Sequence, residues 1–440
     1  MTFIIALIIF AITYVLLFAL PKFRAWIALG SAVVFSVWLS FFCGDVKFTL
    51  ADLIGAIDFN VLMMIAGTMG IVSLFIESKM PMRIADVMLS KFKNVKASII
   101  AMAVMAGIVS AFVDNVATVL MIAPIALAVC KKQDISPVAP IISIAISSNL
   151  QGAATLVGDT TSILLGGYAN MTFFDFFVFK GKPGIFWAVE IGAALTVVIL
   201  LYIFRKETQP LNLSDKTEVN DYFPSFLMIG VVACLIAASF LKAPVGGFWL
   251  TVYNLRNGLI CMFLLLVGLI VSFFKTKSIS SLKLVFKEMD YETLLLLASL
   301  FVVIQGITSA GVISKLAEAL VYIGGSNLFL MYTIIVFASV LISAFVDNIP
   351  YVLTMLPVVT GVASAMAVEP YVLYFGLLVG ATLGGNITPI GASANITGIG
   401  ILRKEGYEVK ARDFMKISVP FTLTAVLTGY LIIWIFWGLL

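Results

Sequence analysis

One stretch of this chain occurs twice at a constant offset of 233 positions. Ser110, Ala111, Phe112, Val113, Asp114 and Asn115, running on to Pro124, return as Ser343, Ala344, Phe345, Val346, Asp347 and Asn348, running on to Pro357. The same offset carries Gly152, Thr155 and Gly158 onto Gly385, Thr388 and Gly391, so two separate motifs keep register. Any fold for this chain must be built from a duplicated unit. Each copy sets an acid, an amide, hydroxyls and glycines inside apolar sequence, where lipid makes unpaired polar groups and charge costly. Such a site is expected to handle an ion.

The surroundings are membrane sequence. With 62% hydrophobic and 11% charged residues over 440 positions, the chain has too little polar side chain for a soluble surface. A helix of about 20 residues crosses a bilayer. Runs of that kind lie near residues 2–20, 25–43, 60–77, 138–168, 184–204, 223–241, 257–274, 291–310, 370–400 and 417–438, which predicts ten spans. Stretches 98–130 and 327–366 are interrupted at their Asp-Asn motifs and read as paired short helices. The first apolar run is span-length without a basic leader, so it is read as a membrane helix.

Lysines and arginines orient the chain, because positive residues in short loops tend to stay cytoplasmic. They cluster at Lys79, Arg83, Lys91, Lys93 and Lys96, at Lys275, Lys277, Lys283 and Lys287, and at Arg403, Lys404, Lys410, Arg412 and Lys416. Stretch 98–130 is basic at both ends, with Lys131 and Lys132 at its exit, and so reads as a hairpin re-entering from the cytoplasm. Its counterpart 327–366 is flanked only by Lys315 and is expected to dip in from outside. The expectation is an all-α polytopic membrane protein with an inverted repeat: ten transmembrane helices, two re-entrant hairpins and two broken helices. The first repeat takes residues 1–204, with hairpin 98–130 and broken helix 138–168. A polar cytoplasmic linker takes 205–222, and the second repeat 223–440, with hairpin 327–366 and broken helix 370–400. Asp58 to Leu62 resembles Asp290 to Leu294 at an offset of 232. The scheme makes this a multi-pass protein of the cell (plasma or inner) membrane with both termini extracytoplasmic, with lipid and a small ionic substrate as partners and no nucleic acid.

Asp114, Asn115, Asp347 and Asn348 fall at the hairpin tips, where non-helical backbone is tolerated only inside protein or against a wet cavity. Carboxylate and carbonyl oxygens suit hard cations, so sodium is a candidate at these four residues. A desolvated carboxylate is equally able to carry a proton. The plain alternative is that each Asp caps a short helix. The second motif pair lies mid-span and supplies Asn149, Thr155, Gly158, Asp159, Thr160, Asn386, Thr388, Gly391, Ser393 and Asn395 as further candidates. Exposed N–H groups at half-helix starts favour an anion and carbonyls at half-helix ends a cation. The plain alternative for Gly152, Gly384 and Gly385 is close helix packing.

Less weight falls elsewhere. Cys43, Cys130, Cys234 and Cys261 lie far apart, without zinc or redox spacing. There is no histidine, so protons must ride on carboxylates or water. Glu77, Glu190 and Asp175 sit near span ends, where a charge reaches the headgroups. No lysine or arginine falls mid-span, so an anion is expected to be held without a fixed positive side chain.

The motifs together resemble a known group. Ser110 to Asn115 followed by Pro124, Gly152 to Asp159, and Leu383 to Asn395 look like the ion transporter superfamily. Within it the chain is similar to the citrate-transporter-like branch, which holds arsenite permeases, D-type sodium/proton antiporters, the melanosomal P protein and silicic acid efflux carriers. The resemblance implies a homodimer on scaffold helices and an elevator-like movement of the hairpin domain. Where many relatives carry Gly-Asp-Pro-Pro-Asn, this chain has Gly158, Asp159, Thr160, Thr161 and Ser162, so its first half-site is expected to differ. The reading is a secondary carrier of a small anion or oxyanion coupled to sodium or protons, with no other cofactor and no enzymatic activity. The alternatives are a cation/proton exchanger, or the membrane subunit of a pump with a separate ATPase, since the chain has no P-loop.

Overall fold

The computed structural model describes residues 2–41, 49–92, 94–210 and 217–439. Cys43, Lys93 and the end of the run 25–43 lie outside the described residues. The described chain is almost all helix. Strand is confined to a two-residue pair, Val178–Phe179 against Lys182–Pro183, and an isolated bridge between Asn94 and Pro210. Among the described residues eight helices are long and apolar enough to span a membrane by themselves, two of them the second arms of the hairpins. The predicted spans appear at Thr2–Ala19, Arg24–Phe41, Phe59–Glu77, Ile185–Ile203, Phe223–Ser239, Arg256–Thr276, Tyr291–Ser309 and Ala411–Ile433, with the two broken helices between them. On the first of these, Ile4, Ile8 and Ile12 are more than half exposed along one helical face, as expected of a surface meant for lipid.

Each repeat builds its hairpin by the same local chemistry. Asn94 and Asn327 cap the first arms, Val95–Ser110 and Leu328–Ser343, by accepting from the N–H groups of Ala97 and Leu330. A four-residue tip follows, and Asp114 and Asp347 cap the second arms, Asn115–Lys132 and Asn348–Ala365. Asp58 and Asp290 likewise cap Phe59–Glu77 and Tyr291–Ser309, accepting from Val61 and Thr293. The weak echo at offset 232 is thus a shared helix start.

The broken helices run as Val138–Gly152 with Thr160–Tyr168, and as Tyr371–Leu383 with Ser393–Lys404, the last turns of Tyr371–Leu383 widening into π geometry. Close packing holds them. A Cβ on Gly380 would lie 2.5 Å from the Val336 carbonyl oxygen, and one on Gly384 2.6 Å from the Val340 Cα, so backbone meets backbone along the second hairpin's first arm. The repeats also interlock. Thr160–Tyr168 packs on Asn348–Ala365 of the other repeat, and Ser393–Lys404 packs on Asn115–Lys132. Two groups of helices result. Phe59–Glu77 packs on Arg256–Thr276 and Arg24–Phe41 on Tyr291–Ser309, while the hairpins and broken helices pack with one another and with Ile185–Ile203 and Ala411–Ile433.

Candidate functional site

Four helix starts meet at one cavity of about 910 Å³ between the two groups. Asn115, Thr160, Asn348 and Ser393, each the first residue of its helix, all line it, so the positive ends of four helix dipoles converge there. Three of the four starts carry an acid. Asp114 Oδ1 accepts from the N–H groups of Val116 (3.0 Å) and Ala117 (3.2 Å), Asp347 Oδ1 from Ile349 (3.1 Å), and Asp159 Oδ1 from Thr160 (2.8 Å). The fourth, after Ala392, has no side-chain cap. The capping role and a place on the cavity wall therefore belong to the same aspartates.

The second carboxylate oxygens differ. Asp159 Oδ2 accepts from the Thr161 hydroxyl at 2.6 Å, and Asp347 Oδ2 pairs with the Arg24 guanidinium. Asp114 has no cationic partner among the described residues. Arg24 corrects the expectation that no fixed positive side chain is available: it begins its helix just after the Pro21–Phe23 turn and reaches across to the second tip.

Of the predicted candidates, Asp114, Asn115, Asn149, Asp159, Thr160, Asp347, Asn348 and Ser393 face the cavity. Gly158 lines a small side pocket with Asp114 and Asp159. Thr155, Asn386, Thr388, Gly391 and Asn395 stand behind the wall. The hydroxyls of Thr155 and Thr388 donate to the tip carbonyls of Ala111 and Ala344, tying each tip to the break in its own broken helix. Asn115 Nδ2 donates to Asn149 Oδ1 (2.9 Å), and Asn149 Nδ2 donates to Thr382 O (2.8 Å) and Asn386 Oδ1 (3.0 Å). That chain of amides joins the two repeats. Asn395 Nδ2 bridges the second break, donating to the Gly385 and Thr388 carbonyls, both at 3.1 Å. At the equivalent position Ser162 Oγ reaches only the Gly152 carbonyl, at 3.4 Å. The departure at Ser162 therefore weakens a backbone brace.

Carbonyl oxygens crowd both breaks. A Cβ on Gly158 would lie 2.6, 2.7 and 2.8 Å from the carbonyl oxygens of Gly152, Ser110 and Ala111; one on Gly391 would lie 2.5, 2.8 and 2.9 Å from those of Gly385, Ala344 and Ser343. Beside them Ser110 Oγ and Asn395 Oδ1 are buried without a hydrogen-bond partner among the described residues. Those carbonyls pack on the glycines themselves, whereas unpartnered oxygens such as Ser110 Oγ and Asn395 Oδ1 suit a hard cation such as sodium. Among the described residues no three acids or cysteines form a metal cluster.

Sequence reasoning missed most of the cavity rim. Glu77, which the sequence suggested was simply solvated, lines the cavity with Glu288, Asp290 and Glu292, beside Lys22 and Arg24. In all, seven carboxylates and two cations face it. Glu77 and Glu288 place the mouth at the face that carries the basic segments 79–96 and 275–287.

The profile of a family described as citrate transporter matches residues 5–380. An uncharacterized transporter of Mycobacterium tuberculosis is 29% identical over 389 residues, covering 86% of each chain. The P protein of Mus musculus is 24% identical over 457 residues, covering 88% of this chain and 55% of its own. Among solved structures, the YdaH transporter of Alcanivorax borkumensis superposes with a TM-score of 0.61 at 15% identity, over 95% of this chain and 98% of that one. MtrF of Neisseria gonorrhoeae, from a class of antimetabolite efflux pumps, gives 0.54 at 13% identity over 94% of both.

Proposed function

The chain belongs to the citrate transporter family, and from that premise we propose that it is a secondary active transporter that moves a small anion or oxyanion coupled to sodium or protons. The observation that carries the reading is the convergence of both hairpin tips and four helix starts on one cavity with seven carboxylates and two cations. An anion cannot enter so negative a space alone. Cations that neutralise Asp114 and Asp159 lessen the repulsion where it is nearest and leave the uncapped start at Ser393 to receive the anion. The buried, unpartnered oxygens of Ser110 and Asn395 beside the two breaks support sodium as such a cation. Once the bound cations balance both the tip acids and the anion, the hairpin group crosses the apolar barrier that resists it when charged, in an elevator-type movement. The mouth opens on the basic face, taken as cytoplasmic, so the described state is the inward-open one.

The same excess of acids favours a second reading, a sodium/proton exchanger without an anion. Reconstituted vesicles separate the two. With an imposed sodium or pH gradient, labelled citrate, succinate or sulfate should accumulate, and Asp114→Asn should abolish the dependence on the gradient. Proton movement with sodium in the absence of any anion identifies the exchanger. Gradient-driven transport that survives Asp114→Asn with its ion dependence intact refutes the site.

A further inference from the structure

Arg24 has a twin. The offset of 232 that superposes the capping residues Asp58 and Asp290 also places Arg24 on Arg256, and each arginine is the first residue of its helix. The two helices have equivalent neighbours: Arg24–Phe41 packs on Tyr291–Ser309, and Arg256–Thr276 packs on Phe59–Glu77. Because the repeat is inverted, the arginines stand toward opposite faces. Arg24 begins its helix at the face bearing the basic segments, whereas Arg256–Thr276 arrives there with its other end, at Lys275.

Their present partners differ. Arg24 pairs with Asp347 at the second tip, each side chain only 23% exposed. Among the described residues Arg256 meets no acid. Its guanidinium donates to the Tyr253 carbonyl at 2.8 Å and lies 3.9 Å from the centroid of the Tyr253 ring, while its Nε is buried with no hydrogen-bond partner. Asp114, the counterpart of Asp347, equally has no cation among the described residues. One repeat thus has a closed arginine–aspartate pair, and the other has the same two residues apart, each with unused bonding capacity.

We propose that the two arginines take turns: Arg24 holds Asp347 in the described state, and Arg256 holds Asp114 in the oppositely open state. The inference rests on the alternating-access reading above and adds to it the residues that change partners. A change of partner of this kind gives both end states a comparable electrostatic contact, so neither traps the protein. It also ensures that one tip aspartate at a time is open to an exchangeable cation.

The test uses full-length protein in native membranes, with Cys43, Cys130, Cys234 and Cys261 changed to Ser and two cysteine pairs introduced: Arg24→Cys with Asp347→Cys, and Arg256→Cys with Asp114→Cys. Mercuric ion should cross-link both pairs, and each cross-link should slow the other's formation when a second, bifunctional reagent is added. Cross-linking of the first pair alone, under all gradients tried, overturns the proposal. Stability supplies a check that does not need cysteines. In the described state Arg24→Gln should lower the unfolding midpoint and Arg256→Gln should leave it nearly unchanged, and the combination Arg24→Gln with Asp347→Asn should recover at least half of the loss. Strictly additive losses also overturn it. If both pairs cross-link but no gradient moves any solute, the transport reading fails and the exchange of partners stands.

Discussion

The two half-sites agree wherever backbone must be held and disagree wherever charge is placed. Thr155 and Thr388 make the same bond to the tip, Gly158 and Gly391 admit the same three carbonyls, and Asn94 and Asn327 start the hairpins alike. Against that, Asp159 corresponds to Ala392, Ser162 to Asn395, and only Asp347 has an arginine. Among the described residues the first half-site holds two aspartates that pair with no cation, and the second one aspartate paired with Arg24. Duplication preserved the joint. What differs between its copies is which side chains carry charge.

The largest expected effect tests the shared part. Valine at Gly158 or at Gly391 forces side-chain carbon into carbonyl oxygens less than 3 Å away, in backbone that has little room to move. Each substitution should cost about 3 kcal/mol, read as a lowered unfolding midpoint and poor recovery of folded protein. A marked difference between the two sites would break the equivalence of the joints. The next effect tests the unshared charge. Asp159→Ala copies the second half into the first and removes one of the two carboxylates proposed to take the coupling cation, a charge-assisted contact worth about 1.5 kcal/mol, so the cation concentration that half-saturates gradient-driven uptake should rise roughly tenfold, measured in vesicles against Asp114→Asn. Unchanged half-saturation would assign Asp159 to helix capping alone. The smallest effect exchanges the braces. Ser162→Asn should gain the bonds that Asn395 makes and stabilise by about 1 kcal/mol, and Asn395→Ser should lose a similar amount, both by thermal unfolding. Destabilisation by Ser162→Asn would show that the first break follows a different path.

Much of this was legible beforehand, for identifiable reasons. Span length and apolarity located the helices within a few residues, because lipid leaves the backbone few alternatives. The repeat located both tips, since Asp-Asn between apolar arms has few structural explanations. What stayed hidden was direction. Thr155, Thr388, Asn386 and Asn395 have the chemistry of ligands, yet their side chains turn inward to brace the breaks, a choice made by tertiary packing. Arg24 sits five residues after a helix end, where a basic residue ordinarily reads as a headgroup contact. Glu288, Asp290 and Glu292 come from another segment altogether and join the cavity only when Tyr291–Ser309 packs beside Arg24–Phe41.

The amide chain from Asn115 through Asn149 to Asn386 has a mechanical corollary. Its donors and acceptors saturate one another across the seam between repeats, so sliding one tip past its mate would tear several buried contacts at once. Under the proposed elevator-type movement the pair therefore travels as a single rigid cradle, shifting against the surrounding frame as one body.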